Sequence, residues 1–167
     1  LVLSSIKENG FPLLVMLGVD MAAEMSNPNC PWGADFDQQT LDKNEQRNAQ
    51  QVKRLIELCQ QYPEIIFSVS VGNEATVDWN DHMVSVESLI NYVKEVKKSI
   101  PQPITFCENY VPWTNKLDAL GEELDFISVH TYPVWEYQTI DQALDYTKSN
   151  YYSVKQRYPD KPVIITE

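Results

Sequence analysis

The chain has 167 residues, enough for one domain with a sizeable core and too few for two ordinary ones. Hydrophobic residues at 43% and charged residues at 22% make it globular in composition and argue against disorder. A net charge of −11 and a pI near 4.5 disfavour a phosphate backbone or an anionic membrane surface as partner, and suit a neutral ligand such as a sugar.

No stretch approaches the roughly 18 consecutive apolar residues of a membrane span. The chain opens on Leu1 without a methionine and shows no signal peptide, so it reads as an excerpt of a longer polypeptide. Cys30, Cys59 and Cys107 are odd in number and far apart, which gives neither a metal cluster nor a disulfide framework; they read as small buried hydrophobes.

Short apolar runs alternate with longer segments of helical period, the signature of βα units. A helix tail stops at Asn9-Gly10, and Pro12 to Asp20 (PLLVMLGVD) reads as the first strand. A long polar loop from Met21 to about Asn44 is broken by Pro28, Pro31 and Gly33. The next helix runs from about Glu45 to Tyr62, with its apolar stripe on Val52, Leu55, Ile56, Cys59 and Tyr62, and Pro63 ends it. Ile65 to Val71 is the second strand and runs into Gly72-Asn73-Glu74.

The spacing of Val86, Leu89, Ile90, Val93, Val96 and Ile100 predicts a helix over Ser85 to Ile100. Ile104 to Glu108 forms the third strand, followed by a loop and a short helix around Leu117 to Leu124. Asp125 to His130 is the fourth strand and leads into Thr131-Tyr132-Pro133. Thr139 to Gln142 has the spacing of a capping box and opens the last helix, which carries Ala143, Leu144, Tyr151, Val154 and Tyr158 inward. Lys161-Pro162 introduces the strand Val163 to Thr166, and Glu167 follows it.

Five apolar strands separated by helices must pair in parallel and be covered on both faces. A doubly wound sheet and a (β/α)8 barrel both satisfy this. No glycine-rich phosphate turn follows any strand, and the chain holds only five glycines, which disfavours the doubly wound sheet. A barrel uses roughly 30 residues per βα unit, the density found here. The expected fold is therefore α/β, an incomplete (β/α)8 TIM barrel. Residues 1–167 form one partial catalytic domain, with about three strands lying outside it.

The carboxylates support the barrel. Asp20, Glu74, Glu108 and Glu167 each stand at or just past a strand end. In parallel α/β folds those ends open onto one face, where sites are built. Any one of these acids reads equally as a helix cap or a loop salt bridge. Four converging like charges repel, which stability alone does not favour. All four tryptophans, Trp32, Trp79, Trp113 and Trp135, fall with Tyr132 in strand-end loops of that face. Their rings either plug the rim or offer apolar planes to the C–H faces of sugars.

Three strand ends in this order, VSVGNE (Val69 to Glu74), DFISVHTYP (Asp125 to Pro133) and VIITE (Val163 to Glu167), resemble the clan of (β/α)8-barrel retaining glycoside hydrolases. Within the clan the wording most resembles glycoside hydrolase family 17, the β-1,3-glucanases and their bacterial relatives. The resemblance covers essentially the whole chain, as barrel strands three to seven. It implies that Glu74 protonates the glycosidic oxygen and later deprotonates water, while Glu167 attacks the anomeric carbon and forms a glycosyl-enzyme. It also implies that Asn73 hydrogen-bonds the sugar 2-hydroxyl and that Tyr132 orients the nucleophile. Glu108 would hydrogen-bond in the cleft, and Trp113 or Trp135 would wall a subsite.

His130 reads either as a site residue or as a satisfied rim histidine, and His82 as a loop residue without function. No metal or organic cofactor is implied. The function implied is retaining hydrolysis of β-glucan, β-1,3 linkages foremost, on an oligo- or polysaccharide. Nucleic acid, membrane insertion and a protein partner are not implied. A transglycosylase on the same site and a carbohydrate-binding protein without turnover stand as alternatives. An extracellular or periplasmic setting fits a glucan substrate.

Overall fold

The computed structural model describes residues 1–167. Helix α1 (Val2–Asn9) stops at Gly10, whose φ of 64° lets its N–H close onto the Ile6 and Lys7 carbonyls. Then come β1 (Val15–Gly18), α2 (Gln38–Gln61), β2 (Ile66–Asn73), α3 (Val86–Ser99) and β3 (Ile104–Asn109). The chain continues through α4 (Tyr110–Asn115), α5 (Asp118–Glu123), β4 (Ile127–His130), α6 (Ile140–Arg157) and β5 (Val163–Ile165). All five strands are parallel and lie in the order β1-β2-β3-β4-β5, with no reversal point. Sequential parallel order is the wall of a (β/α)8 barrel rather than a doubly wound sheet. No helix is long and apolar enough to cross a membrane.

Strand alternation sorts the side chains into two layers. Val69 and Val71 of β2, Ile104 and Phe106 of β3, and Ile127 and Val129 of β4 join Leu89, Val93 and Val96 of α3 in one apolar core. The opposite face carries small polar groups. There Ser70 Oγ accepts the Cys107 N–H at 3.0 Å, and Thr105 Oγ1 bonds the Phe126 carbonyl and Ser128 Oγ.

Two elements differ from expectation. Helix α2 starts at Gln38, well before Glu45, because Asp37 caps it by accepting the Thr40 N–H at 2.7 Å. Its early turns ride over the loop after β1: buried Asn48 accepts the Ala22 N–H and donates to the Ala22 carbonyl, each at 2.8 Å. Helix α4 occupies a stretch expected as loop. Asn109 caps it by accepting the Val111 N–H at 3.0 Å, and Pro112 sits in the first turn, where its missing N–H is not needed.

Candidate active site

The end of β2 is irregular in a way that serves one residue. Ser70 stands opposite Thr105, but Asn73 rather than Gly72 stands opposite Cys107, so β2 holds an extra residue there. Gly72 absorbs it at φ 110°, and a Cβ at that position would lie 2.7 Å from the Phe106 ring. Glu74 then leaves the strand with φ 45°, a left-handed backbone that a non-glycine residue adopts only under constraint. The Cys107 carbonyl supplies part of that constraint by accepting the Glu74 N–H at 2.9 Å.

The Glu74 carboxylate meets His130 Nδ1 at 3.0 Å and accepts the Tyr132 hydroxyl at 3.0 Å. Glu167, just past β5, places Oε2 at 3.7 Å from the same Nδ1. Two glutamates from β2 and β5 thus converge over one imidazole from the end of β4. Burial alone would raise the Glu74 pKa, but the bonds from His130 and Tyr132 outweigh it and hold the carboxyl below its ordinary range. Burial works against a charged His130 too, yet Cys107 and then Glu74 push its pKa up to about 9. Burial, then the charge of Glu74, and further the nearby Glu167, drive the Tyr132 hydroxyl upward. The imidazole therefore favours its protonated form beside the Glu74 carboxylate. Glu74 and His130 share a proton and titrate as a pair.

A cleft of about 800 Å³ lies over these groups. Trp32 and Trp79, from the loops after β1 and β2, and Trp135 and Tyr137, from the loop after β4, present exposed rings to it. The loop after β4 is tied down by Glu136, whose carboxylate accepts the hydroxyls of Tyr110 and Tyr146. No group of three or more His, Cys, Asp or Glu side chains gathers as a metal site.

Several expected roles need correction. Trp113 does not wall the cleft: it is fully buried on α4, donates Nε1–H to the Ser128 carbonyl at 2.9 Å, and packs edge-on against Phe106 and Tyr158. Glu108 does not enter the cleft either. It points away from Cys107 and Asn109, is fully buried, and accepts the Thr76 N–H, the Thr76 hydroxyl and the Asn109 N–H. It braces the turn that carries Glu74. Tyr132 donates its hydroxyl to Glu74 at 3.0 Å and also lies beside Glu167, the residue it was expected to orient. Asp20 stands at the rim but is exposed and paired with Arg47 at 3.0 Å.

Asn73 is exposed at the end of β2 beside Glu74, and Trp135 lines the cleft. His130 is buried among site groups rather than at a rim. Two placements were not anticipated. Asn109 lines the cleft, and strand parity marks it, since it shares a face with Cys107. His82 bridges Asp81 at 3.0 Å and the Asn73 carbonyl at 3.2 Å; no local signal in the sequence points to that contact.

The chain matches the family described as BtgE/BtgC glycoside hydrolase domain over residues 6–167. No curated protein matches it. Among solved structures it resembles a glycoside hydrolase family 17 β-1,3-glucanosyltransferase from Rhizomucor miehei, with 22% identity and a TM-score of 0.66. It also resembles an active-site mutant of the Rhizomucor miehei β-1,3-glucanosyltransferase in complex with laminaritriose, again with 22% identity and a TM-score of 0.68. In both cases the match covers 98% of this chain and 52% of the other, so the chain spans about half their length. With the fold of family 17 and a family match across nearly its whole length, the chain belongs to the BtgE/BtgC glycoside hydrolase domain family.

Proposed function

We propose that this chain carries the catalytic pair of a retaining β-glucan hydrolase acting on β-1,3 linkages, as one partial domain of a (β/α)8 barrel. The observation that carries the reading is the convergence of Glu74 and Glu167 on His130 Nδ1 at 3.0 and 3.7 Å. Their nearest oxygens stand no further apart than those two distances laid end to end. That bound on the nearest oxygens is compatible with the roughly 5–5.5 Å carboxyl separation of a double displacement.

Glu167 attacks the anomeric carbon as the glycosidic C–O bond breaks, and a proton from Glu74 goes to the leaving oxygen. The Glu74–His130 pair holds that proton at neutral pH, which reconciles a general acid with a carboxyl whose own pKa is held low. Glu74 then takes a proton from water, and the glycosyl ester opens. Asn73, beside Glu74, would meet the sugar 2-hydroxyl, where a hydrogen bond strengthens as oxocarbenium character grows. A second reading, transfer to a sugar hydroxyl in place of water, draws on the exposed indoles Trp32, Trp79 and Trp135, which offer an acceptor sugar planes to stack on. The Rhizomucor miehei relative is itself described as a glucanosyltransferase.

The roles are separable by azide in the intact enzyme. Glu167→Ala should lose turnover of every glycoside, while Glu74→Ala should still be glycosylated by an aryl glucoside whose phenolate departs unaided. Azide should then give a β-glucosyl azide with Glu74→Ala and the α-azide with Glu167→Ala. Exchanged anomers would reverse the assignment, and two fully active variants would place the site elsewhere. Products longer than the starting laminari-oligosaccharide would favour transfer over hydrolysis.

A further inference from the structure

Glu74 keeps a left-handed backbone, φ 45°, without being glycine, and the loop that follows it, residues 75–85, folds back onto the strand end. Three residues of that loop reach three successive carbonyls. His82 Nε2 lies 3.2 Å from the Asn73 carbonyl, and Asn80 donates its side-chain amide to the Glu74 carbonyl at 2.5 Å. Val84 donates its N–H to the Ala75 carbonyl at 2.9 Å. Because peptide groups are planar, a residue's φ and ψ are set once the two peptides flanking its Cα are held. The peptide before Glu74 is held by Cys107, whose carbonyl accepts its N–H at 2.9 Å, and by His82 at its carbonyl. The peptide after Glu74 is held by Asn80.

Asn80 is 4% exposed, and Oδ1 of the same amide accepts from no protein group. A buried amide left half satisfied costs stability that an apolar side chain of like size would not. Its place is explained by what Nδ2 holds. Asn80 is in turn anchored from the loop after β1. Buried Asn27 donates its side-chain amide to the carbonyls of Asp78 at 2.9 Å and Asn80 at 2.7 Å, while Ala34 accepts its N–H at 2.8 Å.

We propose that Asn80 is a positioning residue for the general acid: its amide fixes the peptide after Glu74 and so aims the carboxyl at His130, Tyr132 and the glycosidic oxygen. The inference rests on the glycosidase reading of Glu74. Asn80 is not among the residues lining the cleft, so it acts through Glu74 and not on the sugar. Without that donor the backbone of Glu74 turns toward the right-handed region that non-glycine residues prefer, and the carboxyl leaves its partners. A misplacement of about 1 Å costs on the order of 100-fold in positioned chemistry. Proton donation matters most where the leaving group is poor, so the loss falls on the natural linkage and spares an activated one.

The test uses the intact enzyme with Asn80→Ala and Asn80→Leu, the second filling the same space without a donor. Crystal structures read φ of Glu74, which needs no substrate. Kinetics compare kcat/KM on a laminari-oligosaccharide with kcat/KM on an aryl β-glucoside whose phenolate departs unaided. In both variants φ of Glu74 should leave the left-handed region. On the oligosaccharide kcat/KM should fall roughly 30-fold or more, and on the aryl glucoside it should stay within about three-fold. A lower yield of folded enzyme reduces both substrates alike, so equal losses overturn the proposal. A Glu74 φ that stays near 45° in either variant overturns it too. Should Asn80→Ala fail to fold, Asn80→Leu decides by the same two readouts; failure of both would assign the amide to the fold and sink the positioning role. Intact wild-type enzyme that turns over neither glycoside would remove the glucanase reading instead, and φ of Glu74 in the variants would then decide whether Asn80 holds that backbone.

Discussion

Glu108 is a carboxylate with three hydrogen-bond donors around it and no cation. Burial pushes its pKa up to about 7, the donors from Thr76 and Asn109 work downward, and the Glu74 charge adds to the rise. The folded state therefore holds this proton more tightly than the unfolded chain, whose carboxyl titrates near 4.5. Its contribution to stability is present in full below pH 4.5 and is lost as pH rises to about 7. The loss is roughly 3 kcal/mol. Glu108→Gln has no proton to bind, so urea unfolding at pH 5 and pH 7 should give closer stabilities than in wild type; an unchanged difference would assign the titration to another group. Trp113 and Trp135 make a second contrast at this scale, since one ring is buried and the other is not. Trp113→Ala should lose roughly 3–5 kcal/mol, the range for truncating a core aromatic. Trp135→Ala should stay within about 0.5 kcal/mol of wild type while weakening glucan binding. Equal losses in the two unfolding curves would contradict the burial.

At the scale of elements, the alternation of strands and helices was legible from apolar spacing alone, and so was the rim on which Glu74 and Glu167 stand. Strand parity was the part misread on β3. An acid at a strand end suggests the site, but period two puts Glu108 with Phe106 toward the helices and Asn109 with Cys107 toward the cleft. On β2 the extra residue before Asn73 breaks that same period, so simple counting fails there in the opposite sense. Trp113 was misplaced because nothing apolar and periodic announces a six-residue helix at α4. The early start of α2 was hidden for a like reason, as its first turns carry no apolar stripe. Gly72 ties this irregular geometry to the site. Gly72→Ala combines a φ of 110° with a 2.7 Å approach to the Phe106 ring, so it should cost more than about 2 kcal/mol in unfolding free energy. It should also displace Glu74 and lower kcat, and a fully stable, fully active variant would show that the bulge relaxes freely.

Across the whole molecule, one sheet separates two chemistries. Its helix-facing side is a continuous apolar core, while its inner side near the site carries Ser70, Thr105, Cys107 and Ser128, side chains small enough to seat the His130 ring beneath the cleft. The sign of the net charge, −11, disfavours a polyanionic ligand. The four tryptophans are divided by the same architecture. Trp32, Trp79 and Trp135 border the cleft, and Trp113 alone is sealed in the core. Indole emission then reports two events through different rings. Unfolding exposes Trp113 most, because the other three indoles are already partly in water, so the red shift on denaturation should come mainly from that one ring. On the proposed function, laminaritriose should cover the cleft indoles and leave Trp113 untouched, shifting emission to shorter wavelength and protecting part of it from acrylamide quenching. Indole emission from this chain thus reports on the cleft through three rings and on the core through one.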